Sequence, residues 1–329
     1  MSFNLIFVGL ATLAIGLTKD MLRRTSVESR MAGPGLYYSR LIEIGCLKEV
    51  WNGSTGVRLC WSGHENSPDA EANRYFQIME KTDQFFRNVF ERSPVSFPYL
   101  MRIDIHHPAA FNRVFWHKEE QKVYYGDFSP ETFSASFAEN AELITHAFGE
   151  AMVSSYNLGD QCQSRAIEES LADVFTITEK HHRFNVRAQD PAASWNIGDH
   201  LIHGTAQGDS LRSMSSPGSG YRDHPILGSD DQVGHMQSYH ETLPDQDLGG
   251  FRKYSGIANR AFYLAATQEG GPSWERMGKI WHRALIHSWH NISFAGFARE
   301  TVTASKDLGF GEPIAHIVAS SWSQVGVNV

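Results

Sequence analysis

The chain has 329 residues, 41% hydrophobic and 20% charged, enough apolar sequence for a sizeable core in one large domain or two moderate ones. Its 29 basic and 37 acidic side chains leave a formal net charge of -8, and no basic run exceeds Arg23-Arg24, so nucleic acid is excluded as an expected partner. Three cysteines, Cys46, Cys60 and Cys162, are too few for a disulfide framework; a Cys46–Cys60 bridge is open but not required.

The chain opens on an apolar stretch, Leu5 to Leu17, too short to span a bilayer unaided and preceded by no positive charge. A retained element docked on the body is expected in preference to a removed leader, with membrane contact as the weaker alternative. An intracellular location is slightly favoured over a secreted one. From about Val50 to Trp116 the pattern is strand-like, with the alternating run Leu100-Met-Arg-Ile-Asp-Ile. One helix interrupts it, Asp69 to Glu91, with Tyr75, Ile78, Met79 and Phe85-Phe86 on one face. Ser136-Phe-Ala-Glu139 reads as a capping box opening a helix that passes through His146 to about Ser154, and Asn157-Leu-Gly159 ends it. A second helix, roughly Ser164 to Lys180, turns Ile167, Leu171, Val174 and Phe175 inward.

Residues 186 to 250 are rich in Gly, Pro, Asp and Ser and read as ordered loop. Sixteen histidines include His224, His235 and His240 in this stretch, too irregularly spaced for a ligand set and read as solvated. The last third is helical: Ile257 to Thr267, Trp274 to His287, Phe294 to Leu308 and Pro313 to Val325. The result is an α+β chain in three parts: an apolar-then-basic extension over 1–45, a β-rich lobe over 46–155 ending in the central helix, and an α-helical lobe over 156–329.

Glu142 and His146 lie four apart on one side of the central helix, and Glu169 and Asp173 repeat that spacing on the next. In isolation such pairs are usually solvated surface neighbours. Their context points elsewhere. Ala141-Glu-Leu-Ile-Thr-His-Ala147 followed by Ala166-Ile-Glu-Glu-Ser-Leu-Ala-Asp173 resembles the thermolysin-type zinc metallopeptidases, whose pattern is His-Glu-x-x-His on one helix and Glu-x-x-x-Asp on the next. Asn112-Arg-Val-Phe-Trp116, Leu211-Arg-Ser-Met214, Asp223-His-Pro and Gly249-Gly250 through Ala265 extend the likeness, toward the protealysin branch in particular, in collinear order from about Cys46 to Val329. Residues 1–45 do not share it. The resemblance implies a two-lobed fold with the site in the cleft between a β-rich and a helical lobe.

The same resemblance exposes a degenerate motif. In that family two histidines and a glutamate hold zinc, and the glutamate after the first histidine is the general base. Here the first ligand position is Glu142 and the base position is Leu143, which cannot take a proton. His146 and Glu169 match the other ligands, and Asp173 matches the carboxylate that orients a ligand histidine. The histidine that stabilises the intermediate falls at Arg252, its supporting aspartate at Asp247, and the assisting tyrosine at Asp160. Asn112, Arg113, Arg212, Asp247 and Tyr254 are the implied substrate contacts. Calcium is not expected, because Lys180, Ser194 and Asn196 stand where acids belong and only Asp199 is kept.

Glu142, His146 and Glu169 could still ligate a divalent ion such as zinc or manganese. A metal-free cluster is favoured, with Arg252 reaching Glu142 or Glu169 as counter-ion. Three functions follow. The favoured one is a repurposed enzyme doing acid–base chemistry (isomerisation, dehydration or cyclisation) on a small or peptide-derived substrate, with Glu142, His146, Glu169, Asp173, Arg252 and Asp160 as its groups. The alternative is a silent pseudopeptidase that binds a peptide or protein, and the least favoured is a peptidase with altered ligands. Asn52-Gly-Ser54 and Asn291-Ile-Ser293 have the form of glycosylation acceptors.

Overall fold

A computed structural model describes residues 46–64, 66–95, 100–134, 140–159, 162–205, 207–240 and 247–329. The N-terminal extension, the Ser136–Glu139 capping box and Asp160 lie outside them. Five strands form one mixed sheet: β1 (Leu47–Asn52), β2 (Val57–Trp61), β3 (Leu100–Ile105), β4 (Val114–His117) and β5 (Lys122–Tyr125), in the order β2-β1-β3-β5-β4. β1 runs parallel to β3 and β3 to β5, while the two edge strands are antiparallel to their neighbours.

Helix α1 (Ala70–Phe90) contains no Gly or Pro. Asp69 caps it by accepting from the Glu71 and Ala72 amides, and Glu91 ends it in the left-handed region at φ 55°. It buries Tyr75, Met79 and Phe86 within one core that also holds Val50, Met101, Ile103 and Val123 of the sheet, and Tyr75 meets the Tyr125 ring edge-on at 4.7 Å. Lys48 of β1 is buried with this core, paired to Asp83 at 3.0 Å. Cys46 and Cys60 are buried and unbridged, so the open disulfide is not made.

The central helix α2 (Ala141–Ser154) is capped by Asn140, whose side chain accepts from the Glu142 amide. Helix α3 (Cys162–Phe184) runs a turn longer than the apolar pattern suggested. α2 and α3 cross closely because Gly149 faces Ala172: a Cβ at Gly149 would lie 2.8 Å from the Ala172 Cα. The loop after α3 carries a short ladder, β6 (Asn196–Ile197) with β7 (Arg212–Ser213). Helices α4 (Asp247–Glu269), α5 (Arg276–His287), α6 (Phe294–Asp307) and α7 (Gly311–Gln324) complete the helical lobe. α4 begins ten residues before the expected Ile257, because Gly249-Gly250 sits inside the helix and does not precede it. Among the described residues no helix is long and apolar enough to cross a membrane.

Candidate functional site

His146 on α2 meets two carboxylates of α3. Its Nδ1 lies 3.1 Å from Asp173 Oδ1 and its Nε2 3.6 Å from Glu169 Oε1. One turn along α2, Glu150 Oε1 is 4.0 Å from the same Nε2, and its other oxygen accepts from the Trp116 amide of β4 at 3.0 Å. Burial pulls the His146 pKa down, but Glu169 and the hydrogen bond to Asp173 outweigh it and the imidazole is raised above its ordinary value. Burial also raises the Glu150 carboxyl, against the opposing pull of His146.

Asp173 has no exposed surface and is saturated with donors. Arg212 gives it Nε at 3.0 and 2.8 Å and Nη2 at 2.6 Å, and Asn259 Nδ2 adds a bond of 2.8 Å. Arg212 Nη2 also lies 3.3 Å from Glu169 Oε1. The guanidinium holds Asp173 below the usual carboxylate range even though burial pushes the other way. Glu142 is drawn elsewhere: Lys180 Nζ holds its Oε1 at 2.9 Å and the Gly198 amide donates to its Oε2 at 2.7 Å.

Beside the cluster a cavity of about 100 Å³ is lined by Trp116, Glu150, Arg165, Glu168, Glu169 and Phe251, contributed by β4, α2, α3 and α4. The site therefore sits at the seam between the sheet and the helical lobe. A larger cavity of about 510 Å³, lined in part by Trp195, Tyr263 and Gln268, contains one carboxylate, Asp190, and no imidazole or thiol. The clustered titratable groups border the smaller one.

Several expected roles need correction. Arg252 is exposed, with its guanidinium 5.0 Å from the Phe251 ring centre; the counter-ions of Glu142 and Glu169 are Lys180 and Arg212. Glu142 does not share a ligand set with His146 and Glu169; its carboxylate is turned to the Lys180 ammonium. Tyr254 is buried, its hydroxyl accepting from the His240 amide, so it is not available as a substrate contact. Asn112 sits in a left-handed turn at φ 56°, its side-chain oxygen accepting from the Ser129 amide. Arg113 is exposed beside it. Arg212 spends its Nε and Nη2 on Asp173. Asp247 opens α4, but its side chain lies outside what is described. Glu150 is a member of the cluster to which the family motif does not point, although its spacing continues the Glu142–His146 series on one helix face.

Residues 157–327 match the family model described as the thermolysin metallopeptidase, alpha-helical domain. The chain belongs to the thermolysin metallopeptidase family. It is 31% identical over 271 residues to protease PrtS of Photorhabdus sp. (strain Az29), which spans 81% of this chain and 71% of that protein. An extracellular metalloprotease of Pectobacterium carotovorum subsp. carotovorum is 33% identical over 271 residues, 81% of this chain and 76% of its own. The precursor of protealysin, a metalloproteinase from Serratia proteamaculans, superposes with a TM-score of 0.78 at 32% identity, covering 86% of this chain and 88% of that one.

The family normally uses zinc and calcium, and the donors that would hold them are engaged largely by protein cations. His146, Glu169 and Asp173 offer one ligand atom each within 4.8 Å of one another, yet the Asp173 oxygens are occupied by Arg212, Asn259 and His146. With Glu142 turned to Lys180, only His146 and Glu169 remain of the family's set, and Arg212 already supplies positive charge beside Glu169. Where the resemblance implies calcium, the Lys180 ammonium lies among Asp199, Asn196 and Ser194.

Proposed function

We propose that this chain is a non-proteolytic member of its family whose inherited cleft carries out acid–base chemistry on a small or peptide-derived ligand. The observation that carries the reading is the His146–Glu150 pair beside the cavity, in a cluster charge-balanced by Arg212. Glu150, Glu168 and Glu169 line the cavity and are the carboxyl groups able to exchange a proton with a ligand. His146 stands behind them as a proton reservoir, oriented through Nδ1 by Asp173. Two titratable groups in one cleft, both shifted upward, are the arrangement expected of a proton-transfer site. Leu143, buried in the core at the base position, gives water no proton acceptor there.

The volume favours a second reading. About 100 Å³ is small beside the ~300–1,000 Å³ of ordinary ligand pockets, and would accept a single side chain of a bound peptide held without turnover. Both readings give a secreted protein if the extracellular naming of the Pectobacterium relative extends to this chain, in place of the intracellular location expected from the sequence.

The test is incubation of the protein with peptide and small carbonyl ligands in deuterated buffer, read by mass spectrometry. Deuterium uptake or loss of water without backbone cleavage, abolished in Glu150→Gln and in His146→Gln, is the expected result. Ligands that bind and return unchanged would favour the silent binder. Chelator-sensitive cleavage of casein would overturn both.

A further inference from the structure

Lys180 lies on α3 two turns beyond Asp173, with its side chain 6% exposed. Four oxygens surround its Nζ: Glu142 Oε1 at 2.9 Å, Asp199 Oδ2 at 2.6 Å, the Asn196 carbonyl at 2.8 Å and Ser194 Oγ at 3.3 Å. An ammonium has three N–H groups, so four acceptors compete for three protons. Two carboxylates, a carbonyl and a hydroxyl are instead the donor types of a hard divalent cation. The oxygens come from α2 and from the loop that forms β6, so the cation at their centre ties the central helix to that loop.

We infer that Lys180 is the resident cation of this oxygen cage, covalently supplied in place of a divalent ion, and that by holding Glu142 it keeps that carboxylate out of the His146–Glu169 cluster. A tethered charge needs no free metal and no binding equilibrium, so the packing of the 194–199 loop on α2 is independent of metal concentration. This role of Lys180 does not depend on which reaction, if any, the cleft performs. Lys180→Met leaves Glu142 and Asp199 as facing carboxylates with no cation between them. Lys180→Glu adds a third carboxylate and turns the cage into an acidic site with enough oxygens to hold calcium.

Melting temperatures of the full chain, Lys180→Met and Lys180→Glu, each in chelator and in millimolar calcium, decide it. The wild type should melt alike in both. Lys180→Met should melt lower than wild type in chelator, and Lys180→Glu should recover about 5 °C or more when calcium is added. If Lys180→Glu does not fold, Lys180→Met carries the test alone, and a gain from calcium is the expected result. Calcium that raises the wild type as much as the variants would overturn the inference, as would Lys180→Met melting with the wild type in chelator and ignoring calcium.

Discussion

Without the Arg212 guanidinium, the fully buried Asp173 carboxylate would keep, among the described residues, only Asn259 and His146 as donors. Breaking a buried pair from one side strands the other charge, so Arg212→Met should cost about 3–5 kcal/mol in urea unfolding. A loss under about 1 kcal/mol would mean that water reaches Asp173. Arg252→Met, by contrast, should move the urea midpoint much less, because Arg252 is exposed, rests on Phe251 and acts on Glu150 only through its charge. The double substitution Glu142→His with Leu143→Glu should gain zinc through His146 and Glu169, measured by calorimetry, since an imidazole at 142 is not attracted to Lys180. Efficient casein cleavage by that variant would show that the residues at 160 and 252 matter less than supposed. Which charges answer the buried acids was only half legible. That such acids need cations follows from elementary electrostatics, but the choice of Lys180 and Arg212 over Arg252 depends on where side chains end in space. Glu150 was legible, lying one turn past His146. The family motif does not reach it, since that motif ends at His146.

At the level of elements, the cluster exists because α2 and α3 approach closely at Gly149 and Ala172. Gly149→Ala should raise helix propensity by up to about 1 kcal/mol, yet its Cβ would fall 2.8 Å from the Ala172 Cα. Backbone displacement of that kind costs about 1–3 kcal/mol, so the variant should be less stable on balance, read by thermal and urea unfolding together. A stabilised Gly149→Ala would mean that the helices can part without penalty. Helix α1 was readable almost to the residue, because Asp69 supplies a cap and nothing between Ala70 and Phe90 breaks the pattern. The start of α4 was not: Gly249 and Gly250 signal a break in sequence, while the structure carries them within the first turn. Nor does periodicity reveal β7, whose two residues pair with β6 and bring Arg212 to Asp173.

For the whole molecule, two interior histidines work against the fold in acid, while the raised His146 works for it. Burial lowers His181 to about 4, with the Ser194 carbonyl opposing, and burial followed by Arg92 lowers His282 to about 4. Their folded values lie below the ordinary 6.5, so the unfolded chain binds the additional protons as pH falls. The stability present above pH 6.5 should be lost progressively toward pH 4, by on the order of 3 kcal/mol per histidine. Urea midpoints that do not move between pH 7 and pH 5 would contradict this. The two-lobed architecture itself was visible in sequence, because strand-like alternation gives way to helical periodicity after Gly126-Asp127 and the family motifs fall in collinear order. Whether protein cations have taken over the charge balance of this metallopeptidase cleft is read from the zinc content of the wild type beside Glu169→Ala after equilibration with zinc. Both should hold the same small fraction of an ion per chain, whereas one zinc per chain in the wild type, lost in Glu169→Ala, would mean that the cleft is still a metal site.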